Sequence, residues 1–142
     1  MKLFIKLLMA TYVFLYRLTG GAIGGKMVGM PVLLLNSIGR KSGKRRTTPV
    51  AYIRDGTNYV VTASNGGAAT NPGWFYNLQS SPQTTIQVMA KTLPVVAQQA
   101  NPEEKSRLWG QLIKVAPNFE EYQRKISREI PIITFGCTLK IT

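Results

Sequence analysis

Histidine is absent from this 142-residue chain. No metal can therefore be held by imidazole, and no Ser-His or Cys-His catalytic pair can exist. Cysteine occurs once, at Cys137, which excludes an internal disulfide and points to a reducing cytoplasm. Acids are scarce as well: six Asp or Glu stand against eighteen Lys or Arg, for a formal charge of +12. In residues 1–100 the one acid, Asp55, faces eleven cations, so the anion-seeking surface belongs to the first two thirds of the chain. Long apolar runs are lacking too. Residues 1–18 are rich in Leu, Phe and Tyr, but Lys2, Lys6 and Arg17 keep them short of the roughly 20 apolar residues that a spanning helix requires. Lys6 also interrupts the apolar region of a would-be secretory signal, and no A-x-A-like cleavage site follows.

Among the residues that are present, five cations fall between Arg40 and Arg46, in the segment Gly39-Arg40-Lys41-Ser42-Gly43-Lys44-Arg45-Arg46-Thr47-Thr48-Pro49. Strongly apolar flanks, Val32 to Leu35 and Val50 to Ile53, predict buried strands that hold this turn in a rigid frame. A phosphate there could take guanidinium forks from Arg40 and Arg46, the Lys41 ammonium, the Ser42 hydroxyl, and backbone N–H groups exposed by Gly39 and Gly43. The segment is not a P-loop: the two glycines are one residue too close, and Arg45 stands where the Mg-binding hydroxyl belongs. Composition alone leaves open a solvated turn, a nucleic-acid contact and a specific phosphate site.

The rest of the pattern sets the fold. Residues 2–18 have helical spacing, with Leu3, Phe4, Leu7, Leu8, Thr11, Tyr12, Leu15 and Leu18 on one face and Lys2, Lys6, Val13 and Arg17 near the other. Such a helix packs against its own domain or a second subunit, or lies on an anionic membrane. Gly20-Gly21 and Gly24-Gly25 end it, which predicts two segments: residues 1–25 as amphipathic helix and glycine hinge, and residues 26–142 as a β-rich body. About six strands are expected, at Val32–Ser37, Thr47–Arg54, Asn58–Ser64, Thr84–Met89, Leu93–Ala97 and Ile130–Phe135. Asp55-Gly56 marks a hairpin. Helices are expected from an Asn71 N-cap through Leu78, from an Asn101 N-cap with Glu104 in a capping box to Lys114, and from Phe119 to Lys125. Close-set, mostly antiparallel strands with inserted helices predict a split β-barrel, mainly β with peripheral helices; a doubly wound parallel sheet would need more helical crossovers.

Two further segments carry chemistry. Thr62-Ala63-Ser64-Asn65-Gly66-Gly67-Ala68 leaves a strand with small side chains and accessible N–H donors, where a planar ring could approach the backbone closely; it also reads as a plain connecting loop. Asn71-Pro72-Gly73-Trp74-Phe75-Tyr76-Asn77-Leu78 supplies aromatics more often found in cores than at ligands. Its Asn77 amide needs a polar partner, from a ligand or a neighbouring loop.

In order and spacing these pieces resemble the deazaflavin-dependent nitroreductase family, whose members use reduced coenzyme F420 as hydride donor. The resemblance rests on Gly39-Arg40-Lys41-Ser42-Gly43 with Arg46 and Pro49, Arg54-Asp55-Gly56, Ala63-Ser64-Asn65-Gly66-Gly67, Asn71 to Leu78, Tyr122-Gln123, and Arg128-Glu129-Ile130-Pro131-Ile132-Ile133. It runs from about Met1 to Phe135. It implies a split barrel in which Arg40, Lys41, Ser42, Gly43 and Arg46 hold the cofactor's phosphate and glutamyl tail. Pro49, Val50, Thr62, Ala63 and Ser64 would line its ring, and Gly66, Gly67, Trp74 and Asn77 would complete the pocket. Asn65 stands where relatives often place a tail-contacting lysine. The resemblance implies an oxidoreductase with no obligatory acid-base residue, because the cofactor carries the hydride; the product's proton would come from solvent or from the Ser64 or Tyr122 hydroxyl. The substrate mouth keeps only Tyr122 of several tyrosines found in nitroimidazole-reducing relatives, so nitroimidazole activation is not carried over, and the implied acceptor is a small hydrophobic molecule such as a quinone, an enone or a nitroaromatic. Dimers are common in this barrel class. The alternatives are a barrel holding FMN, which offers one phosphate and a flat ring, and a non-enzymatic basic module on a membrane surface or nucleic acid. Nucleic acid is disfavoured because the cations lack interleaved exposed aromatics. Expected localisation is cytoplasmic, with peripheral membrane contact through residues 1–18, and no metal is expected.

Overall fold

The computed structural model describes residues 2–27 and 29–137. Met1, Val28 and residues 138–142, which fall within the two expected segments, lie outside the described residues. The chain begins with helix α1 (Lys2–Thr19), then strands β1 (Lys26–Met27), β2 (Met30–Ile38), β3 (Arg45–Ala51), β4 (Ile53–Asp55) and β5 (Asn58–Thr62). A single 3-10 turn, Asn65–Gly67, leads to α2 (Gly73–Ser80), β6 (Gln83–Val88) and β7 (Lys91–Gln99). Helices α3 (Pro102–Val115) and α4 (Asn118–Lys125) precede β8 (Ile132–Cys137). Every strand pairing among the described residues is antiparallel, in the order β1-β2-β6-β7-β8-β5-β4 with β3 also on β2. The sheet curls into the expected split barrel.

Eight strands replace the expected six among the described residues, and the main difference explains the closure. Thr47 to Arg54 reads as one strand because its β-prone residues run on without a break, but the chain bends at Tyr52. The first half pairs with β2 from Ile38↔Arg45 to Val32↔Ala51, while the second pairs with β5 from Ile53↔Val60 to Asp55↔Asn58. Tyr52 N–H still donates to the Pro31 carbonyl at 3.0 Å. One bent strand therefore joins both edges of the sheet, and a strongly twisted sheet closes only with such a corner. The predicted hairpin follows, with Gly56 at φ 60°. The other addition is the two-residue β1 on Met30 and Pro31.

Alternation along the strands sorts the core. Leu33, Leu35, Tyr59, Val61, Ile86, Val95, Ile133 and Phe135 point into the barrel, where Trp74, Phe75 and Leu78 of α2 cap them. Val60 and Ile132 point outward under Leu108 of α3. Strands β5 and β8 are thus covered on both faces, which accounts for the adjacent apolar pairs Val60-Val61 and Ile132-Ile133. Asn101 caps α3 through Glu104 N–H at 2.8 Å, as the sequence predicts.

Helix α1 departs from a simple packing helix. Its anchor is Tyr16, fully buried, whose hydroxyl donates to the Val32 carbonyl (2.9 Å) and accepts from Met89 N–H (2.8 Å). Burial raises the Tyr16 pKa, so the group stays a neutral hydroxyl able to do both. Gly21 follows at φ 86°, and a Cβ there would lie 2.9 Å from Met89 Cα, so the glycine segment is pressed against the β6–β7 turn. The expected apolar face packs on the domain only in part. Its Tyr12 and Leu15 are part-buried beside Tyr16 and Thr19, while its Leu3, Phe4, Leu7, Leu8 and Leu18, with Phe14 next to them, are all more than half exposed.

Candidate functional site

The β2–β3 loop, residues 39–44, has a defined shape. Gly39 N–H donates to the Lys44 carbonyl and Gly43 N–H to the Gly39 carbonyl, both at 2.8 Å, and Ser42 Oγ accepts from Lys44 N–H at 3.2 Å. Gly43 sits at φ 72°, in the left-handed region that glycine adopts without strain, and a Cβ on Gly39 would come within 2.5 Å of Ser42 Oγ. Two glycines thus fold the backbone tightly enough to gather the basic side chains at one place.

Helix α2 holds this loop. Asn77, only 3% exposed, accepts from both Arg40 N–H and Arg40 Nη1 at 3.1 Å, and its Nδ2 donates to Ser37 Oγ at 3.2 Å. The partner demanded by this buried amide is therefore a neighbouring loop. Arg40 also lies over the Tyr76 ring at 5.1 Å, which fixes its guanidinium on the helix.

Between loop and helix opens a cleft of about 490 Å³, lined by Ser37, Gly39, Arg40, Lys41, Ser42, Arg46, Thr48, Asn65, Asn71, Pro72, Gly73, Trp74 and Asn77. No acid lines it. The two ion pairs among the described residues, Lys105–Glu129 and Arg107–Asp55, lie elsewhere, so Lys41 and Arg46 face the cleft with their charge uncompensated. Such a set takes an anion.

Of the residues singled out in the sequence, Arg40, Lys41, Ser42, Arg46, Asn65, Trp74 and Asn77 meet in this cleft. Gly43 shapes the loop without lining it. Val50 points into the barrel core, and Pro49 points to the opposite face, with Arg45 and Thr47. Thr62 and Ala63 are buried at the end of β5, with half-buried Ser64 after them. Gly66 and Gly67 belong to the 3-10 turn, and Tyr122 packs on Gly67 and edge-on to Phe119 at 5.4 Å, behind the turn rather than in the cleft. Ser37 and Thr48 line the cleft without having been singled out; strand alternation carries the signal, since Ser37 is the register partner of Arg46 and Thr48 lies two residues beyond it.

Arg128 is the larger omission. Its guanidinium donates to the carbonyls of Ala63 (3.2 Å), Ser64 (3.0 Å) and Ala68 (3.0 Å) and to Asn71 Oδ1 (2.6 Å). This corrects the expected Asn71 N-cap: α2 begins at Gly73 after Pro72, without a side-chain cap, because Asn71 Oδ1 takes the charge-assisted bond instead. Arg128 thereby fixes the loop that carries Asn65 and Asn71 into the cleft.

Among the described residues no cluster of His, Cys, Asp or Glu could hold a metal, and no helix is long and apolar enough to cross a membrane.

The family model for F420H(2)-dependent quinone reductase matches residues 8–135. An F420H(2)-dependent quinone reductase of Mycobacterium tuberculosis is 39% identical over 124 residues, 84% of this chain and 83% of its own. Among solved structures, an F420-H2 dependent reductase, FDR-A, is similar with TM-score 0.69 and 32% identity, covering 75% of this chain and 94% of that one. A chain described as a domain-swapped dimer gives TM-score 0.71 and 30% identity, covering 89% of this chain and 94% of its own.

Proposed function

The chain belongs to the F420H(2)-dependent quinone reductase family, and from that premise we propose that it is an oxidoreductase passing a hydride from reduced coenzyme F420 to a quinone. The observation that carries this reading is the convergence of Lys41, Ser42 and Arg46 with the Trp74 wall in one cleft free of acids. The donor set fits the cofactor. A phosphate and a glutamyl tail need cations and N–H groups and would be repelled by carboxylates, and the cleft offers the first without the second. Lys41, Arg46, Ser42 and the loop backbone of Gly39 to Gly43 would hold the phosphate; Arg40, held in place by Asn77, adds its field; Asn65 meets the tail from the far rim. Thr62 to Ser64, with Gly66 and Gly67 beside them, would offer the strand-end surface for the ring; Val50, packed into the core, and Pro49, on the opposite face, would support it only from within β3.

When bound, the reduced deazaflavin supplies the hydride. The protein's part is to orient and to exclude water, which Trp74 does from one wall. The proton that completes the hydroquinone would come from solvent or from the Ser64 hydroxyl; Tyr122, behind the 3-10 turn, is not placed to supply it.

Fluorescence titration with coenzyme F420, followed by turnover with a short-chain quinone, tests the reading. Lys41→Ala and Arg46→Ala are expected to weaken cofactor binding by about 1.5 to 3 kcal/mol each, the scale of a charge-assisted hydrogen bond. Equal affinity in wild type and both variants would overturn it, and a bound yellow flavin with no F420 affinity would favour the FMN alternative.

Helix α1 we place on an anionic membrane surface at the cytoplasmic face, where an apolar quinone is concentrated. The support is its exposed apolar face combined with Lys2, Lys6 and Arg17 and no acid. A second copy is the competing cover for this face, with the domain-swapped neighbour as precedent, but two chains of +12 repel one another.

A further inference from the structure

Neighbouring residues of a strand face opposite sides of the sheet, so β3 sends Arg45 and Arg46 to different places. Arg46 lines the deazaflavin cleft. Arg45 lines a second cavity of about 310 Å³, beneath the end of α1, with Arg17, Asn36, Thr47, Gln87 and Thr92. The run of cations that marks the sequence is thus divided between two sites.

The second cavity has a built floor. Arg17 Nη2 donates to Thr47 Oγ1 at 3.0 Å and to Asn36 Oδ1 at 3.4 Å. Asn36, only 4% exposed, is itself held by Thr47 Oγ1 at 2.7 Å and by its own bond to Thr85 Oγ1 at 2.8 Å. One guanidinium is therefore fixed by a buried amide, and a second, Arg45, shares the cavity with it. No acid lines the cavity, and neither arginine takes part in the ion pairs among the described residues. Two cations held together without a counter-charge repel, and that arrangement is relieved by a bound anion.

We propose that this cavity binds a phosphate group, with Arg17 and Arg45 as its cationic walls and the Thr92 hydroxyl and the Gln87 amide as further donors. Phe14 and Leu18, exposed on the same end of α1, give such a phosphate an apolar neighbour. The phosphodiester of an anionic phospholipid matches both features. That source rests on the membrane placement of α1 proposed above; the phosphate site itself rests on neither that placement nor the deazaflavin reading.

The test is residue-resolved. Glycerol phosphate is titrated into 15N-labelled protein, and amide shifts at Asn36, Gln87 and Thr92 report this cavity separately from those at Gly39 and Gly43, which report the deazaflavin cleft. In parallel, flotation is measured with vesicles of phosphatidylglycerol in phosphatidylcholine. Arg45→Gln and Thr92→Glu are compared with Lys44→Gln, which removes the same charge as Arg45→Gln from a position lining neither cavity. Arg45→Gln and Thr92→Glu are each expected to weaken binding at the second cavity about tenfold, and Lys44→Gln less than about twofold. Parallel loss of flotation identifies a lipid headgroup as the source. Loss confined to glycerol phosphate identifies a soluble phosphate monoester. Equal losses in Lys44→Gln and Arg45→Gln would mean a diffuse charge effect and overturn the site, as would the lack of saturable shifts at Asn36, Gln87 and Thr92.

Discussion

Arg128 and Asn77 show how the cleft is held by side chains that do not themselves supply its free charge. Asn77 occupies Arg40, fixing one cation against α2, while Lys41 and Arg46 face the cleft with no acid beside them. Arg128 ties four acceptors of the segment 63–71 to the strand that follows it, and only a planar fork can reach all four at once. Arg128→Lys keeps the charge and loses that geometry. It is expected to lower stability to urea by about 1.5 to 3 kcal/mol and to speed amide exchange across residues 64–71, with weaker F420 binding as the consequence. Unchanged exchange there would mean that the loop holds its shape without the clamp. The residues with a local signature were legible in the sequence: Lys41, Ser42 and Arg46 by charge density, Trp74 and Asn77 by a polar amide among aromatics. Arg128 was not, since its partners lie some 60 positions away and nothing nearby marks them.

At the scale of elements, α1 is two helices in function. Its last two turns are pinned by Tyr16 to β2 and to the β6–β7 turn, while residues 2–11 all lie exposed, apolar side chains included. The double substitution Leu7→Glu, Phe14→Glu leaves Tyr16 untouched. Flotation with anionic vesicles is expected to fall about tenfold or more, with no change in thermal midpoint and no change in apparent mass on gel filtration. A shift from dimer to monomer with flotation intact would assign the face to a second copy instead. Periodicity located α1, the β2–β3 hairpin and α3 to within one to three residues because their patterns are local. It failed to place the bend at Tyr52, which depends on pairing with two different partners and leaves no mark in a continuous β-prone run. Periodicity likewise identified an apolar face of α1 but not how much of it the barrel would take.

Across the molecule, charge is arranged as much by what is missing as by what is present. Asp55, the one acid of the first hundred residues, is used in a two-pronged bond to Arg107, with both N–O distances 3.0 Å, that ties the β4–β5 hairpin to α3. The hydrogen bond from Arg107 holds the Asp55 carboxyl below its ordinary value. Its contribution is thus fully present above the ordinary aspartate range and is lost as pH falls through the depressed value, below about pH 4. The pair is solvent-facing, so Asp55→Asn is expected to cost no more than about 1 kcal/mol at pH 7, and the gap between variant and wild type should narrow as urea titrations are carried down through the depressed value. A gap that does not narrow as pH falls would assign the loss to packing rather than to charge.

The position of β8 has a consequence for biosynthesis. Residues 132–137 lie between β5 and β7 in the sheet, and Phe135 is fully enclosed by the barrel. During translation, β5 and β7 emerge first, each with an open row of unpaired backbone groups beside an apolar interior. β5 can pair with β4 and β7 with β6, but neither can gain its second neighbour, β8, until residue 137 has cleared the ribosome. The nascent chain therefore passes through a stage in which β5 and β7 each have one bare edge, at the moment when α1, already made, offers an apolar surface that the finished fold leaves uncovered.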